Sequence, residues 1–347
     1  MAEADILFET RGSVGLITLN RPKALNAVTY AMVCEMPEQL ARWARDDAVA
    51  CVVVRAVPGR AFSAGGDIRE LYAWRQAGDR RLVDFYDIEY RLNRTIKHFP
   101  KPYIALIDGI VMGGGVGISI HGSHRLVTKN ALFAMPETGI GFFPDVGGTY
   151  FLPRCPGRLG HYIGLTGARL GAADMAYAGL ATMAVGDDAE ADILSALAAG
   201  DPCDKALEEF SQPVGEAPLA ALRADIDHCF AGGTVDAILE RLEADCTPAN
   251  RQWGIDTAAS IRAKAPLATR VALRQLNAGA ALDFDACMAL EYRLVNRFMG
   301  GSDFFEGVRA AVIDKDRSPR WNPATLAQVS DAMVDDYFAP LEHELTF

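Results

Sequence analysis

Two carboxylates lie eight positions apart in an apolar stretch of the sequence, where their type and spacing permit chemistry. They are Glu137 and Asp145, and the stretch reads ALFAMPETGIGFFPDVGG over residues 131–148. Because its neighbours are apolar, we expect the Glu137 side chain to be buried rather than solvated in a loop, which raises its pKa and suits it to act as a base. Asp145 either lines the same pocket or caps a helix that begins at Val146 or Gly147.

Two glycine-rich turns are the second candidate for chemistry. DGIVMGGGVGISIHG, residues 108–122, holds three consecutive glycines, and AFSAGGDIREL, residues 61–71, holds Gly65 and Gly66 between a predicted strand and a predicted helix. The first N–H groups of a helix have no partner within it, so two such turns can offer an oxyanion hole to a developing negative charge. The alternative is that both are only tight strand-to-helix turns. The spacing in GGGVG is not the Gly-x-Gly-x-x-Gly of a dinucleotide site.

The elements that must position these residues follow a β-β-α-β order at the start of the chain. Residues 6–22 form two alternating apolar runs joined by Arg-Gly-Ser, which predicts a hairpin, residues 29–47 have helical spacing, and residues 50–57 are a β-branched run typical of a buried strand. Strands and helices continue to alternate to about Gly179. This alternation predicts an α/β fold with parallel strands flanked by helices.

The sequence after Gly179 is acidic, rich in alanine and helical in its spacing. We place the change of character at 185–220. We therefore expect a catalytic core over residues 1–200 and a mainly helical C-terminal region, residues 201–347, that covers the core.

Composition and charge exclude several classes of protein. Half of the 347 residues are hydrophobic and the net charge is −11, so we expect a soluble globular chain with neither a nucleic-acid partner nor an anionic membrane partner. The first ten residues resemble neither a signal peptide nor a transit peptide. The seven cysteines are scattered without Cys-x-x-Cys, which indicates reduced thiols and a cytoplasmic location. The six histidines show no zinc-ligand spacing, so we expect no metal.

The motifs resemble those of the enoyl-CoA hydratase/isomerase (crotonase) family in order and spacing. AFSAGGDI, DGIVMGGGVG and ALFAMPETGIGFFPDVGG carry the resemblance, and LNRPKALNAV near the start supports it. It implies a spiral of ββα units and an acyl-CoA substrate whose thioester carbonyl is polarised by two backbone N–H groups, with no further cofactor. By motif match these donors fall on Gly66 and Gly114. Members of the family form homo-oligomers, and the resemblance allows one here.

One departure from the family pattern concerns the reaction. Hydratases of the family carry a glutamate three residues after the second oxyanion glycine, and this chain has Gly117 there, whereas Glu137 matches their second glutamate. With Asp145 and the segment 288–323, MALEYRLVNRFMGGSDFFEGVRAAVIDKDRSPRWNP, the chain resembles the hydrolases within the family, from about Ile6 to Pro323. The resemblance implies hydrolysis of a small 3-hydroxyacyl-CoA thioester, with 3-hydroxyisobutyryl-CoA, an intermediate of valine catabolism, as the expected substrate. Glu137 then acts as base or nucleophile.

The resemblance also implies substrate-binding residues. Glu89 and Asp145 match positions that contact the substrate, although as a bare sequence feature Glu89 is equally an exposed ion-pair residue on a helix. Gly65 belongs to the first turn. Lys23, Arg60 and Arg69 stand beside the motifs where family members hold CoA phosphates, although each is also readable as a solvated surface charge.

Two alternatives to hydrolysis remain open at the level of sequence. One is isomerisation or hydration of an enoyl-CoA, with Glu137 moving the proton. The other is an acyl-CoA-binding protein that keeps the oxyanion turns without turnover.

Overall fold

The computed structural model describes residues 4–347 as two compact units that interleave along the sequence. Unit 1 comprises the described residues up to Asp67 together with Arg91–Phe133 and Leu170–Ala217. Unit 2 comprises Ile68–Tyr90, Ala134–Arg169 and Pro218–Phe347. Residues 1–3 lie outside the described residues. The prediction that the first ten residues are neither a signal peptide nor a transit peptide falls partly on them.

Unit 1 is built on a seven-stranded sheet with parallel strands at its centre. Its strands are β1 (Ile6–Arg11), β2 (Val14–Leu19), β3 (Cys51–Ala56), β5 (Tyr103–Ile107), β7 (His124–Val127), β10 (Met183–Val185) and β11 (Ser211–Gln212). They lie in that order across the sheet, antiparallel at both edges and parallel between β2 and β10. The predicted hairpin is confirmed as the β1–β2 pair, and the α/β prediction is confirmed with it.

A smaller four-stranded sheet in the same unit carries the glycine turns. Its strands are β4 (Ala61–Ser63), β6 (Ile110–Met112), β8 (Leu132–Ala134) and β9 (Leu170–Gly171), in that order. β4 and β6 run parallel, so the turns that follow them leave the same edge of the sheet.

Five α-helices accompany the two sheets in the described part of unit 1. They are α1 (Tyr30–Arg45), α4 (Gly114–Gly117), α7 (Ala172–Tyr177), α8 (Glu190–Ala198) and α9 (Cys203–Glu208). α1 is amphipathic, and the side chain of Thr29 caps it by accepting from the Met32 N–H at 3.3 Å. One face of the sheet packs on α8 and α9 through side chains such as Leu16, Val53 and Ile193. Burying these β-branched and leucine side chains provides the main driving force for folding of this unit.

Unit 2 is mainly helical, as the spacing after Gly179 predicts. Its helices are α2 (Ile68–Ala77), α5 (Gly148–Phe151), α6 (Leu159–Thr166), α10 (Pro218–Cys229), α11 (Val235–Ala244), α12 (Arg251–Arg262), α13 (Pro266–Gly279), α14 (Phe284–Gly300), α15 (Asp303–Val308) and α16 (Asp331–Phe338). α3 (Arg81–Lys97) begins in this unit and ends in unit 1. Among the described residues, no helix is both long and apolar enough to cross a membrane.

The apolar stretch that contains the two carboxylates belongs to an aromatic core in unit 2. Phe142 lies 4.6 Å from Phe143, 5.4 Å from Phe298 and 5.1 Å from Phe304, measured between ring centroids. Phe143 stacks on Phe298 at 5.4 Å. The aromatic residues of this stretch are therefore packed against α14 and α15, which fixes the backbone that bears the acids.

Candidate active site

The two glycine turns of unit 1 lie against each other at the ends of β4 and β6. A Cβ atom added to Gly65 would lie 3.7 Å from the Met112 carbonyl oxygen and 3.9 Å from the Gly113 Cα. Gly65 has φ +119° and Gly113 has φ +46°, backbone conformations that side chains rarely tolerate. Both turns therefore require glycine at these positions.

The two predicted donors, the N–H groups of Gly66 and Gly114, lie in these turns. Val28 bonds to both sides of Gly66: its N–H donates to the Gly65 carbonyl at 2.8 Å, and its own carbonyl accepts from Asp67 at 2.9 Å. Within the part of the chain that the structure describes, the N–H groups of Gly66 and Gly114 donate to no protein acceptor. Both N–H groups are therefore unused within the described structure, the second at the start of α4.

Glu137 begins the short 3₁₀ turn Glu137–Ile140 of unit 2 and is 6 % exposed. Burial raises its pKa to about 8, although a hydrogen bond from its own backbone opposes the rise. Its Oε2 atom is buried and has no hydrogen-bond partner among the described residues. The turn is fixed because the Ala265 N–H donates to the Thr138 carbonyl at 3.0 Å. The interpretation of Glu137 as a solvated loop acid is therefore wrong, and the prediction of burial is confirmed.

Asp145 is also buried, at 5 % exposure, in the loop before α5. Its Oδ2 accepts a hydrogen bond of 3.2 Å from the Tyr90 hydroxyl. Burial raises the pKa of Asp145, and the negative charges of Glu89, Glu137 and Glu291 raise it further. The N-cap of α5 is Gly147 and no side chain caps it, so the capping role considered for Asp145 is wrong.

Glu89 lies on α3 and is only 2 % exposed. Burial, and then the charge of Glu291, raises its pKa to about 8. Its Oε1 atom has no partner among the described residues. The alternative of an exposed ion-pair residue is therefore wrong, because the buried face of α3 runs through Tyr86, Glu89 and Tyr90 at helical spacing.

Sequence reasoning missed two buried polar residues. Glu291 of α14 is completely buried and accepts hydrogen bonds of 2.8 Å from the N–H groups of Gly147 and Thr149. Asn93 lies one turn beyond Glu89 on α3, also completely buried, and neither atom of its amide has a partner among the described residues. Glu291 lies between apolar residues at the buried period of α14, and Asn93 lies at the buried period of α3; these positions are the signal that identifies them.

The three basic residues proposed for CoA phosphates are exposed. Lys23 lies in the 3₁₀ turn Pro22–Ala24, and Arg60 precedes β4. The Arg69 guanidinium donates to the Val312 carbonyl at 2.9 Å. Their role in CoA binding stays a prediction.

Comparison with known proteins identifies the family. The family model described as enoyl-CoA hydratase/isomerase matches residues 14–338. The chain belongs to the enoyl-CoA hydratase/isomerase family. A protein of Rattus norvegicus named 3-hydroxyisobutyryl-CoA hydrolase, mitochondrial, is 42 % identical over 97 % of this chain and 89 % of its own length. The Homo sapiens protein of the same name is 39 % identical over 98 % of this chain and 90 % of its own.

Solved structures confirm the fold predicted from the motifs, a crotonase-like core with a mainly helical C-terminal part. A structure named carnitinyl-CoA dehydratase, from Mycobacterium thermoresistibile, is 42 % identical with a TM-score of 0.93 and covers 99 % of both chains. One named enoyl-CoA hydratase, from Rhodobacter sphaeroides 2.4.1, is 42 % identical with a TM-score of 0.91 and covers 99 % of this chain and 100 % of its own. The names of these family members refer to different reactions, namely hydrolysis, dehydration and hydration.

Proposed function

We propose that this chain hydrolyses the thioester of a small 3-hydroxyacyl-CoA, with 3-hydroxyisobutyryl-CoA as the substrate and 3-hydroxyisobutyrate and CoA as the products. The rat and human relatives, similar over almost their whole length, are named for this reaction. Valine catabolism supplies this substrate.

The observation that favours hydrolysis over hydration is the residue at position 117. Gly117 is buried in α4, where the family's hydratases place a glutamate. Adding water across a double bond needs one group to position the water and another to deliver the proton. With no side chain at this position, Glu137 loses the partner that hydration requires.

The oxyanion hole of the proposal consists of the Gly66 and Gly114 N–H groups. They donate to the thioester oxygen as the carbonyl carbon becomes tetrahedral, and stabilise the charge that develops on it. When the carbon–sulfur bond breaks, the electron pair leaves with sulfur and CoA takes up a proton. Removal of one such donor typically costs about 10²–10³ in kcat.

Glu137 supplies the oxygen nucleophile by one of two routes. As a general base it takes a proton from water, whose oxygen then attacks the carbonyl carbon. As a nucleophile its carboxylate attacks, forms a mixed anhydride with loss of CoA thiolate, and is regenerated by water. Both routes require the ionised carboxylate. Label found in the Glu137 peptide by mass spectrometry after single-turnover hydrolysis in heavy-oxygen water establishes the anhydride route with attack of water at the Glu137 carboxyl carbon, because general-base catalysis places no label there.

Selection for a 3-hydroxyacyl chain is assigned to Asp145 and Glu89. Buried polar atoms that have no partner pair well with a hydroxyl and are left unpaired by an analogue that lacks it. Among the described residues, Glu89 Oε1 is such an atom, and the one side-chain donor to Asp145 is the Tyr90 hydroxyl. We expect discrimination by the hydroxyl to exceed discrimination by a single methyl group.

The test is a panel of acyl-CoA thioesters assayed for release of free thiol. We expect 3-hydroxyisobutyryl-CoA to be cleaved with a kcat/KM at least tenfold above that of isobutyryl-CoA, its matched analogue without the hydroxyl. Equal rates for the two would refute the assigned selection, and no thiol release from any thioester would refute the hydrolase.

Hydration or dehydration is the second candidate, because the two solved structures named above carry those names. The same panel decides between the candidates. A hydratase or dehydratase changes the enoyl absorbance without releasing thiol, whereas a hydrolase releases thiol. A non-catalytic acyl-CoA-binding protein would give neither signal, and a Glu137→Gln variant would match the parent.

A further inference from the structure

Asp145 is presented by a strained loop. Val146, the next residue, has φ +50°, a conformation that a β-branched side chain rarely adopts, and Gly147 follows at φ +87°. Such a conformation persists only where the surrounding structure enforces it. The loop therefore needs anchors, and they lie in the two helices that pack on α5.

Glu291 of α14 is the first anchor. Its Oε2 accepts from the Gly147 N–H and its Oε1 accepts from the Thr149 N–H, both at 2.8 Å. One completely buried carboxylate thus binds both ends of the segment just after the strained residue.

Gln275 of α13 is the second anchor, and it is also completely buried. Its Nε2 donates to the Pro144 carbonyl at 2.6 Å and to the Thr149 hydroxyl at 2.8 Å. The Asp145 loop is therefore held before and after the acid by two buried side chains from neighbouring helices. Surface loops are not held in this way, and a fixed carboxylate orientation is what a binding or catalytic acid requires.

Glu291 also sets the charge around Asp145. The titratable groups that face Asp145 are Tyr86, Tyr90 and Glu89 of α3, Glu137 and Glu291. Cys287 lies one turn from Glu291 on α14, and the charges that act on its thiol include those of Glu291, Arg154 and Asp283.

The charge of Glu291 raises the pKa of both Glu89 and Asp145. Glu291 accepts two hydrogen bonds from backbone N–H groups, so it holds a negative charge more readily than Glu89, Glu137 or Asp145. Its charge in turn keeps protons on Glu89 and Asp145.

We propose that Glu291 is a positioning residue of the active site, which anchors the strained loop that presents Asp145 while Gln275 supports the same loop. The catalytic importance of this anchor rests on the proposed function, in which Asp145 contacts the 3-hydroxyacyl substrate. Glu291 itself contacts the loop and not the substrate.

The decisive variant is Glu291→Gln, which keeps the shape but turns an NH₂ group toward one of the two amide donors. We expect kcat for 3-hydroxyisobutyryl-CoA to fall tenfold or more and the pH profile of kcat/KM to change, because one negative charge fewer faces Asp145, on which the charge of Glu137 also acts. Amide hydrogen exchange at Gly147 and Thr149 should accelerate at least tenfold. The matched control is Asp285→Asn, which removes a carboxylate from the first turn of α14, about 9 Å along the helix axis. We expect it to keep the parent values of all three.

Hydrogen exchange at the Gly147 and Thr149 amides also tests the anchor independently of any measurement of enzyme activity. In the parent protein, Gly147 and Thr149 should exchange slowly, and fast exchange there overturns the anchor even if the variant does not fold. A Glu291→Gln variant with the parent's kcat, pH profile and exchange rates overturns the proposal as well. A parent that exchanges slowly at both amides but cleaves no hydroxyacyl thioester refutes the proposed function and leaves the anchor standing.

Discussion

The substitution Gly115→Ala tests whether the glycine turns act as the oxyanion hole. A Cβ atom at this position would lie 2.4 Å from the Ser63 carbonyl oxygen, 2.6 Å from the Ser63 Cβ and 2.8 Å from its Oγ. Real Cβ atoms stay at least 3.0 Å from such neighbours, so the two backbones must separate by 0.6 Å or more. Ser63 is held in β4 and completely buried, so much of this shift falls on the turn that contains Gly114.

A donor displaced by this distance no longer meets the thioester oxygen at hydrogen-bond length. Loss of one donor costs about 10²–10³ in kcat, and partial displacement should cost about 10²-fold. Overpacking of this kind also lowers the free energy of unfolding by about 1–3 kcal/mol, which leaves a protein of this size folded. We therefore expect thiol release by Gly115→Ala to fall about 10²-fold at saturating substrate, because the lost interaction belongs to the transition state.

The matched control is Gly186→Ala, also in unit 1. The nearest atom to its added Cβ would be the Ala189 Cβ at 3.8 Å, an ordinary contact, so this variant should keep the parent's kcat. Circular dichroism and thermal unfolding check that both variants fold. A folded Gly115→Ala variant with the parent's kcat would show that these turns are structural only and would falsify the proposed oxyanion hole.

Four further outcomes follow from the acids. Glu137→Gln should lower kcat about 10²–10⁴-fold in the thiol assay, the usual contribution of a general base, and full activity would exclude both routes. In the parent, kcat/KM should rise with pH through a midpoint near pH 8, because Glu137 must be ionised and burial raises its pKa to about 8. A profile that is flat from pH 6 to 9 contradicts this. Asp145→Ala should lower the ratio of kcat/KM for 3-hydroxyisobutyryl-CoA over isobutyryl-CoA at least tenfold, and an unchanged ratio removes Asp145 from substrate selection. Glu89 has an ordinary pKa of 4.5 and a folded pKa of about 8, so between these pH values the folded state holds a proton that the unfolded state has lost. The free energy of unfolding should therefore decrease as pH rises from 4.5 to about 8. Urea titrations at several pH values should show a shallower decrease for Glu89→Gln than for the parent.

The hairpin, the α/β core and the helical C-terminal part were predictable because each depends on local pattern. The alternation in residues 6–22 has period two, and α1 has the apolar period of a helix. The boundary between α2 and α3 is marked in the sequence by a glycine alone: α2 ends just before Gly78, which has φ +64°, and α3 begins at Arg81.

The acidic residues of the candidate site differ in how far the sequence predicts their burial and contacts. The burial of Glu137 was predictable from its apolar neighbours in the chain. The burial of Glu89 was not decided, because a glutamate among arginines on a helix fits an exposed face as well as a buried one, and only the packing of α3 settles which face is covered. The capping role for Asp145 was equally open, because its side chain turns to Tyr90, 55 positions away, rather than to the helix that follows it.

By itself the sequence determined the glycine turns, the order of the elements and the family, since these depend on residue type, short-range spacing and motif order. Tertiary structure decided that Glu291, 144 positions from Gly147, binds the loop of Asp145. It also decided that a buried carboxylate cluster raises the pKa values of its members. The physical reason is that the cost of burying a charge depends on which distant groups surround it, and no local pattern in the chain specifies them.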